Sequence, residues 1–260
     1  MSIDKGNLGD TVQRISAFAE ILNRSQAVLL DWDGCIACAG ELDVEAIRFI
    51  TEYQGAIAIV SNNSTCLPAD ILEILRPSGV VLEPDTIVLA GVEAVRRAVD
   101  KNARRVMMIS NRKMEAFAQS HGLEIAQQEV DTVLLLRDTS FHYDQLERAA
   151  NAIRQGARLI VANPDMTHPG KRGWVVPETG VLLAALMACV DLSTAEVEVI
   201  GKPATRLFAR ACAVVGVHIN DTVMIGDNPD TDIAGAEAFG LRSILIGSRS
   251  GVTFADLRSA

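Results

Sequence analysis

The sequence predicts an α/β protein with a mainly parallel sheet, and two observations carry that expectation. Short apolar runs alternate along the chain with segments of helical period, the pattern of strands joined by crossover helices. In addition, Asp, Ser, Lys and Asp near positions 31, 61, 202 and 227 each follow closely on an apolar run. Ligands of open α/β sheets bind beyond the carboxyl ends of strands, so four such ends can converge although they are far apart in sequence.

Taken in order, Ala27–Leu30, Ala56–Val60, Thr86–Ala90, Val106–Ile109 and Thr132–Leu136 read as strands, as do Arg158–Ala162, Val197–Ile200, Thr222–Ile225 and Ser243–Ile246. Each is an apolar run of strand length, as expected where both faces of a parallel sheet are covered. Between them, Val12, Ile15, Phe18 and Leu22 form a helical stripe, as do Val44, Ile47 and Ile50, and later Leu207, Phe208, Ala211 and Val215. This is many strands for one small sheet, yet no Gly/Ser-rich boundary separates two consecutive domains. The middle strands carry no set of acids, hydroxyls or lysine like the outer ones, so the middle third reads as an insertion.

Composition narrows the function classes. The chain has 260 residues, 49% hydrophobic and 22% charged, enough to bury a sizeable core in one large domain or two modest ones. Its net charge of −9 disfavours a hold on nucleic acid or on an anionic membrane, and 4% aromatics supply few stacking platforms for bases. The longest apolar run, Val181–Val190, is short of the ~20 residues of a membrane span. No charged segment followed by an apolar stretch opens the chain, and five scattered cysteines suggest a reducing compartment. A cytoplasmic location is the expectation.

Four motifs carry chemistry. Asp31-Trp32-Asp33-Gly34 follows the first apolar run, and extended backbone points residues i and i+2 the same way, so both carboxylates can serve one site. One could attack a phosphoryl group while the other moves a proton, or both could place Mg²⁺, while Gly34 permits the sharp exit. The same spacing also serves as turn chemistry. Ser61-Asn62-Asn63-Ser64-Thr65 sits at a strand-to-helix turn, where hydroxyls and amides make an anion site, or where Ser64 or Thr65 caps the helix. In Gly201-Lys202-Pro203 the lysine can neutralise a transferring phosphoryl group or lie on the surface, and Pro203 is expected to open a helix. Gly226-Asp227-Asn228-Pro229-Asp230-Thr231-Asp232 crowds oxygen ligands suited to Mg²⁺, although Asn228 and Asp232 also fit turn and cap positions.

In this order, and each after an apolar run, the four motifs resemble those of the haloacid dehalogenase (HAD) superfamily, from about Gln26 to Thr253. The resemblance is closest to the NagD-like and para-nitrophenylphosphatase-like phosphatases, subclass IIA, which the SNNST and GKP forms and Asn163-Pro164-Asp165 match. It implies a doubly wound, Rossmann-like core over residues 1–98 and 194–260 with an α/β cap inserted at 99–193. Asp31 would be the nucleophile that becomes an aspartyl-phosphate, and Asp33 the acid and base for leaving group and water. Mg²⁺ would be held by Asp31, the Asp33 carbonyl and Asp227. Ser61 and the backbone around Asn62 would hold phosphoryl oxygens, Lys202 would offset charge, and Asn228 and Asp232 would orient the metal site and Lys202. In the cap, Asn163, Asp165, His168, Trp174 and Glu178, with Lys171 and Arg172, are the residues expected to shape the leaving-group pocket, or to be a solvated turn.

The expected function is therefore Mg²⁺-dependent hydrolysis of a small cytosolic phosphate ester: a sugar phosphate, phosphoglycolate, a nucleotide or pyridoxal phosphate. The branch often dimerises through the cap, which implies a homodimer. Asp33 argues against a dehalogenase, since halide leaves without a proton. A phosphoacceptor signalling module of the receiver type would need neither Asp33 nor the middle third, and a catalytically weak binding protein would not need the full motif set. Departures from the branch are Cys35 after DxDG with Cys38 at CxxC spacing, Cys66 where a basic residue is common, and Glu178 in place of the first glycine of PGxG. The chain also stops soon after Thr253, where relatives commonly add an edge strand.

Overall fold

A computed structural model describes residues 5–38, 40–170 and 174–259. It divides into two compact units. The first comprises residues up to Val60, Leu72–Ile87 and Phe208 onward, and the second comprises Ser61–Ile71 and Val88–Leu207.

The first sheet contains β1 (Ala27–Leu30), β4 (Ala56–Ser61), β5 (Ile87–Leu89), β13 (Thr222–Gly226) and β14 (Arg242–Leu245). Their order is β14-β13-β1-β4-β5. Every residue of β1 is inaccessible to solvent, as its unbroken apolar run requires. β1 runs parallel to β13, with Leu30 opposite Ile225, and parallel to β4, with Leu30 opposite Ile59. The chain winds outward from β1 through β4 on one side and returns at β13 on the other. The β1/β13 boundary is therefore the topological switch point where doubly wound sheets bind ligands. A two-residue hairpin, β2 (Ala37–Cys38) with β3 (Glu41–Leu42), follows β1.

The second unit holds an all-parallel sheet of β6 (Arg105–Ile109), β7 (Glu124–Ile125), β8 (Thr132–Leu135), β9 (Arg158–Val161) and β12 (Val197–Val199), ordered β12-β9-β8-β6-β7. Met107, Ile109, Val133, Leu135, Leu159 and Val161 from its strands pack with Ala149 and Ile153 of the helix Tyr143–Arg154 and with Leu186 of the helix Thr179–Cys189. A short antiparallel hairpin, β10 (Thr167–Pro169) with β11 (Val175–Pro177), precedes that last helix.

The strands read from the sequence are all present, within a residue or so at each end. Two expectations change. The sequence reading puts the strand before Lys202 among the core strands, but it pairs with β9, and the ladder continues through Ile200 N–H to the Val161 carbonyl and Gly201 N–H to the Ala162 carbonyl. Pro203 does not open a helix: Ala204 N–H closes a turn on the Gly201 carbonyl, and the helix begins at Arg206. Among the described residues no helix is long and apolar enough to cross a membrane.

Asp131 joins β6 to β8 at their amino ends. One carboxylate oxygen accepts from Arg104 N–H at 2.9 Å and Arg105 N–H at 3.1 Å, and the other from the Thr132 hydroxyl at 2.7 Å. Burial pushes this carboxyl up, but the hydrogen bonds and nearby Arg158 outweigh it and hold the group below its ordinary 3.8. Asp131→Ala should cost about 1 kcal/mol at pH 7, a modest figure because the site is largely open to water. The folded-state value is depressed, so the contribution is complete above the unfolded value and fades as pH falls through the folded one. Denaturant titrations of both proteins at pH 7 and near pH 3 check this: the gap should narrow in acid, and a constant gap would contradict it.

Candidate active site

In the first unit the two acidic motifs meet. Asp31 leaves β1 with its N–H still bonded to the Ile225 carbonyl at 3.0 Å, so its backbone is held by the sheet. The chain then turns sharply: the Trp32 carbonyl accepts from Ile36 and Ala37, and Gly34, at φ +95°, donates to the Ala37 carbonyl. That φ lies in the left-handed region, which favours glycine. Space demands glycine as well, because a Cβ there would lie 2.6 Å from Asp227 Oδ2. Asp33 is exposed, two residues beyond Asp31.

Asp227 follows β13, and the chain then makes a wide turn over Pro229–Ile233. The Asn228 side chain accepts from Asp230 N–H, and Asn228 N–H donates to Asp232 Oδ2 at 3.0 Å. This folds Asp232 back against Gly226, where any Cβ would collide with its carboxylate. Carboxylate oxygens of Asp31, Asp227 and Asp232 consequently lie within 4.8 Å of one another. Asp31 is 6% exposed and Asp232 is 1% exposed. Three acids so close, two of them buried, favour a shared positive charge, and their all-oxygen donor set suits a hard divalent cation such as Mg²⁺. The sequence reading sets Asp232 behind the metal site; the turn brings its carboxylate into the trio itself.

The second unit gathers the remaining motif residues. β4 ends on Ser61, which is buried and whose hydroxyl accepts from Asn63 N–H at 3.0 Å. The Asn63 side chain in turn accepts from Thr65 N–H and Cys66 N–H, so Asn63 shapes the loop. Neither Ser64 nor Thr65 caps the helix Pro68–Leu75. Asp70 instead reaches back to Leu67 N–H, and buried Ser64 bonds the Thr179 hydroxyl and accepts from Arg137 N–H. Lys202 is 1% exposed, and its backbone is gripped by the Asn62 side chain. Asn163 and Asp165 both bond Asn62, through its carbonyl and its amide respectively.

Glu178 caps the helix Thr179–Cys189 and binds His168 Nδ1 at 2.7 Å, with Arg137 Nε at 3.5 Å. Burial pushes the Glu178 carboxyl up, against the pull of Arg137 and His168 toward the ionised form. Trp174 is 76% exposed, and Lys171 and Arg172 lie outside the described residues. Arg137 escapes the sequence reading, although a cation directly after the apolar run Thr132–Leu136 is an available signal.

Comparison with known proteins gives the family. A family model of haloacid dehalogenase-like hydrolases matches residues 28–124, and one of HAD-hydrolase-like proteins matches residues 199–259. An acid sugar phosphatase of Staphylococcus epidermidis is 31% identical over 242 residues, covering 90% of this chain and 90% of its own. A dihydroxyacetone phosphatase of Corynebacterium glutamicum is 30% identical over 231 residues, 86% of this chain and 81% of its own. Among solved structures, a glycerol phosphate phosphatase from Mycobacterium tuberculosis in complex with calcium matches with a TM-score of 0.78 at 26% identity, over 90% of this chain and 68% of that one. The chain belongs to the haloacid dehalogenase-like hydrolases. Within them it is a phosphoric monoester hydrolase of the NagD-like and para-nitrophenylphosphatase-like branch.

Proposed function

We propose that this protein hydrolyses small sugar and polyol phosphates with Mg²⁺, through an aspartyl-phosphate on Asp31. The observation that carries the reading is the cluster of Asp31, Asp227 and Asp232 at the β1/β13 switch point. Asp31 Oδ attacks phosphorus in line, a P–O bond forms to the carboxylate, and the ester P–O bond breaks. Asp33 gives its proton to the departing alkoxide. It then takes one from water as the water oxygen attacks phosphorus, which releases inorganic phosphate and restores the Asp31 carboxylate.

Asp31, the Asp33 carbonyl and Asp227 would hold Mg²⁺, with Asp232 and Asn228 setting their orientation. Bound there, the ion would offset the repulsion between carboxylate and phosphate as they approach. Ser61, the backbone around Asn62 and Lys202 would bind the phosphoryl oxygens, whose charge must be neutralised in the transition state. The inserted segment from about residue 99, with Val197–Val199 as an edge strand of its sheet, would serve as the cap that limits leaving-group size, and a homodimer would form through it. Cys35, Cys38, Cys66, Cys189 and Cys212, present as thiols, fit a cytoplasmic setting.

The relatives' names support the choice of substrate: an acid sugar phosphatase, a dihydroxyacetone phosphatase and a glycerol phosphate phosphatase share a short hydroxylated leaving group. Phosphate release should be measured over hexose phosphates, dihydroxyacetone phosphate, glycerol phosphate, phosphoglycolate, nucleotides and pyridoxal phosphate, with Mg²⁺ and with chelator. The highest kcat/KM should fall among the sugar and polyol esters and vanish with chelator. A preference for nucleotides or pyridoxal phosphate would refute the substrate class, and release in chelator would refute the metal.

A further inference from the structure

We infer that Asp165 and Asn62 are positioning residues for Lys202, with Asp165 acting through the Asn62 amide. The inference rests on the proposed role of Lys202 in neutralising the phosphoryl group.

The Asn62 side chain meets the main chain of Lys202 at two points. Its Oδ1 accepts from Lys202 N–H at 2.7 Å, and its Nδ2 donates to the Lys202 carbonyl at 2.9 Å. One planar amide thus pairs with both polar backbone groups of a single residue, fixing the backbone from which the lysine side chain departs. Nδ2 has a second N–H, and it goes to Asp165 Oδ2 at 3.0 Å. This pattern allows one orientation of the amide only. A flip would set Oδ1 against the Lys202 carbonyl and the Asp165 carboxylate, two acceptors, and NH₂ against the Lys202 N–H.

The surroundings hold the clamp in place. Asn163, itself 1% exposed, donates from Nδ2 to the Asn62 carbonyl at 2.8 Å, and its Oδ1 accepts from Asp165 N–H at 3.1 Å. Gly201 leaves the space, since a Cβ there would lie 2.5 Å from Asn62 Oδ1. Because Lys202 is buried, its ammonium has little freedom to correct a displaced backbone, and small displacements of a charged group are costly in a transition state.

The test is a double-substitution cycle on the full chain, with kcat, KM and Tm measured together. In Asn62→Asp a carboxylate replaces the amide donor and faces both Asp165 and the Lys202 carbonyl. We expect kcat to fall about 100-fold with KM within about threefold, the split of an interaction made in the transition state. Asp165→Asn alone should cost less than about tenfold, since an acceptor oxygen remains. In the combined variant the introduced carboxylate faces an amide donor at position 165 in place of a second carboxylate. Its kcat should rise at least about tenfold over that of Asn62→Asp, a coupling that independent sites do not show.

A combined variant no faster than Asn62→Asp would overturn the inference, as would an Asn62→Asp protein with parental kcat. If Asn62→Asp does not fold, Asp165→Ala against Asp165→Asn decides: loss of kcat at constant KM in the first, mostly restored in the second, supports the inference, and parental kcat in both overturns it. Lys202→Ala runs alongside. Parental activity there defeats the proposed role of the lysine and this inference with it, whereas an inactive Lys202→Ala beside an uncoupled cycle defeats the inference alone.

Discussion

Asp31→Asn should lose about 10⁴-fold or more in kcat while remaining folded, because removal of a nucleophile leaves only binding and charge stabilisation to act. The position is suited to a clean test. The Asp31 N–H is held by the Ile225 carbonyl, and β1 behind it is fully buried, so the backbone is set by the sheet and not by the carboxylate. Asparagine keeps the shape and removes the charge and the attacking lone pair. The variant should keep its Tm within a few degrees and still bind phosphate esters. A fall in kcat of less than about tenfold would mean that Asp31 does not attack phosphorus.

The second large effect concerns the metal. Asp227→Asn removes one charge from a trio whose oxygens lie within 4.8 Å. The Mg²⁺ concentration for half-maximal rate should rise at least about tenfold, since even partners that only orient ligands change metal affinity by that much. Calorimetric Mg²⁺ titration of the parent and the variant, without substrate, provides a readout independent of turnover. Equal affinity in both would remove Asp227 from the metal site. Asp232→Asn separates two roles for the third acid: a loss as large as that of Asp227→Asn would make it a ligand, and a smaller one an orienting group that holds the turn through Asn228 N–H.

Much of this is legible in the chain itself, for a physical reason. β1, β8 and β13 are buried on both faces, so they read as unbroken apolar runs, and the residues that follow β1 and β13 are acids with no place in a core. The short strands β2, β3, β7, β10 and β11 are too brief for any period to register. The sheet to which Val197–Val199 belongs is not legible either, because an apolar run carries no record of its ladder partner. Asn62 is the most instructive case. Sequence pattern marks it as part of an anion-binding turn, whereas its amide is aimed at Lys202, 140 positions away, a pairing only the folded chain creates. Asp232 likewise reads as a turn residue until the wide turn at Pro229–Ile233 carries it back to Asp31 and Asp227.

The stereochemistry at phosphorus separates a covalent intermediate on Asp31 from direct attack by water. A phosphorothioate ester whose non-bridging oxygens are of two different isotopes is hydrolysed in water of the third, and the configuration of the released inorganic thiophosphate is read. Attack by Asp31 followed by attack by water comprises two in-line displacements, each inverting the centre, so net retention is expected. Net inversion would mean a single displacement by water and would contradict an aspartyl-phosphate on Asp31.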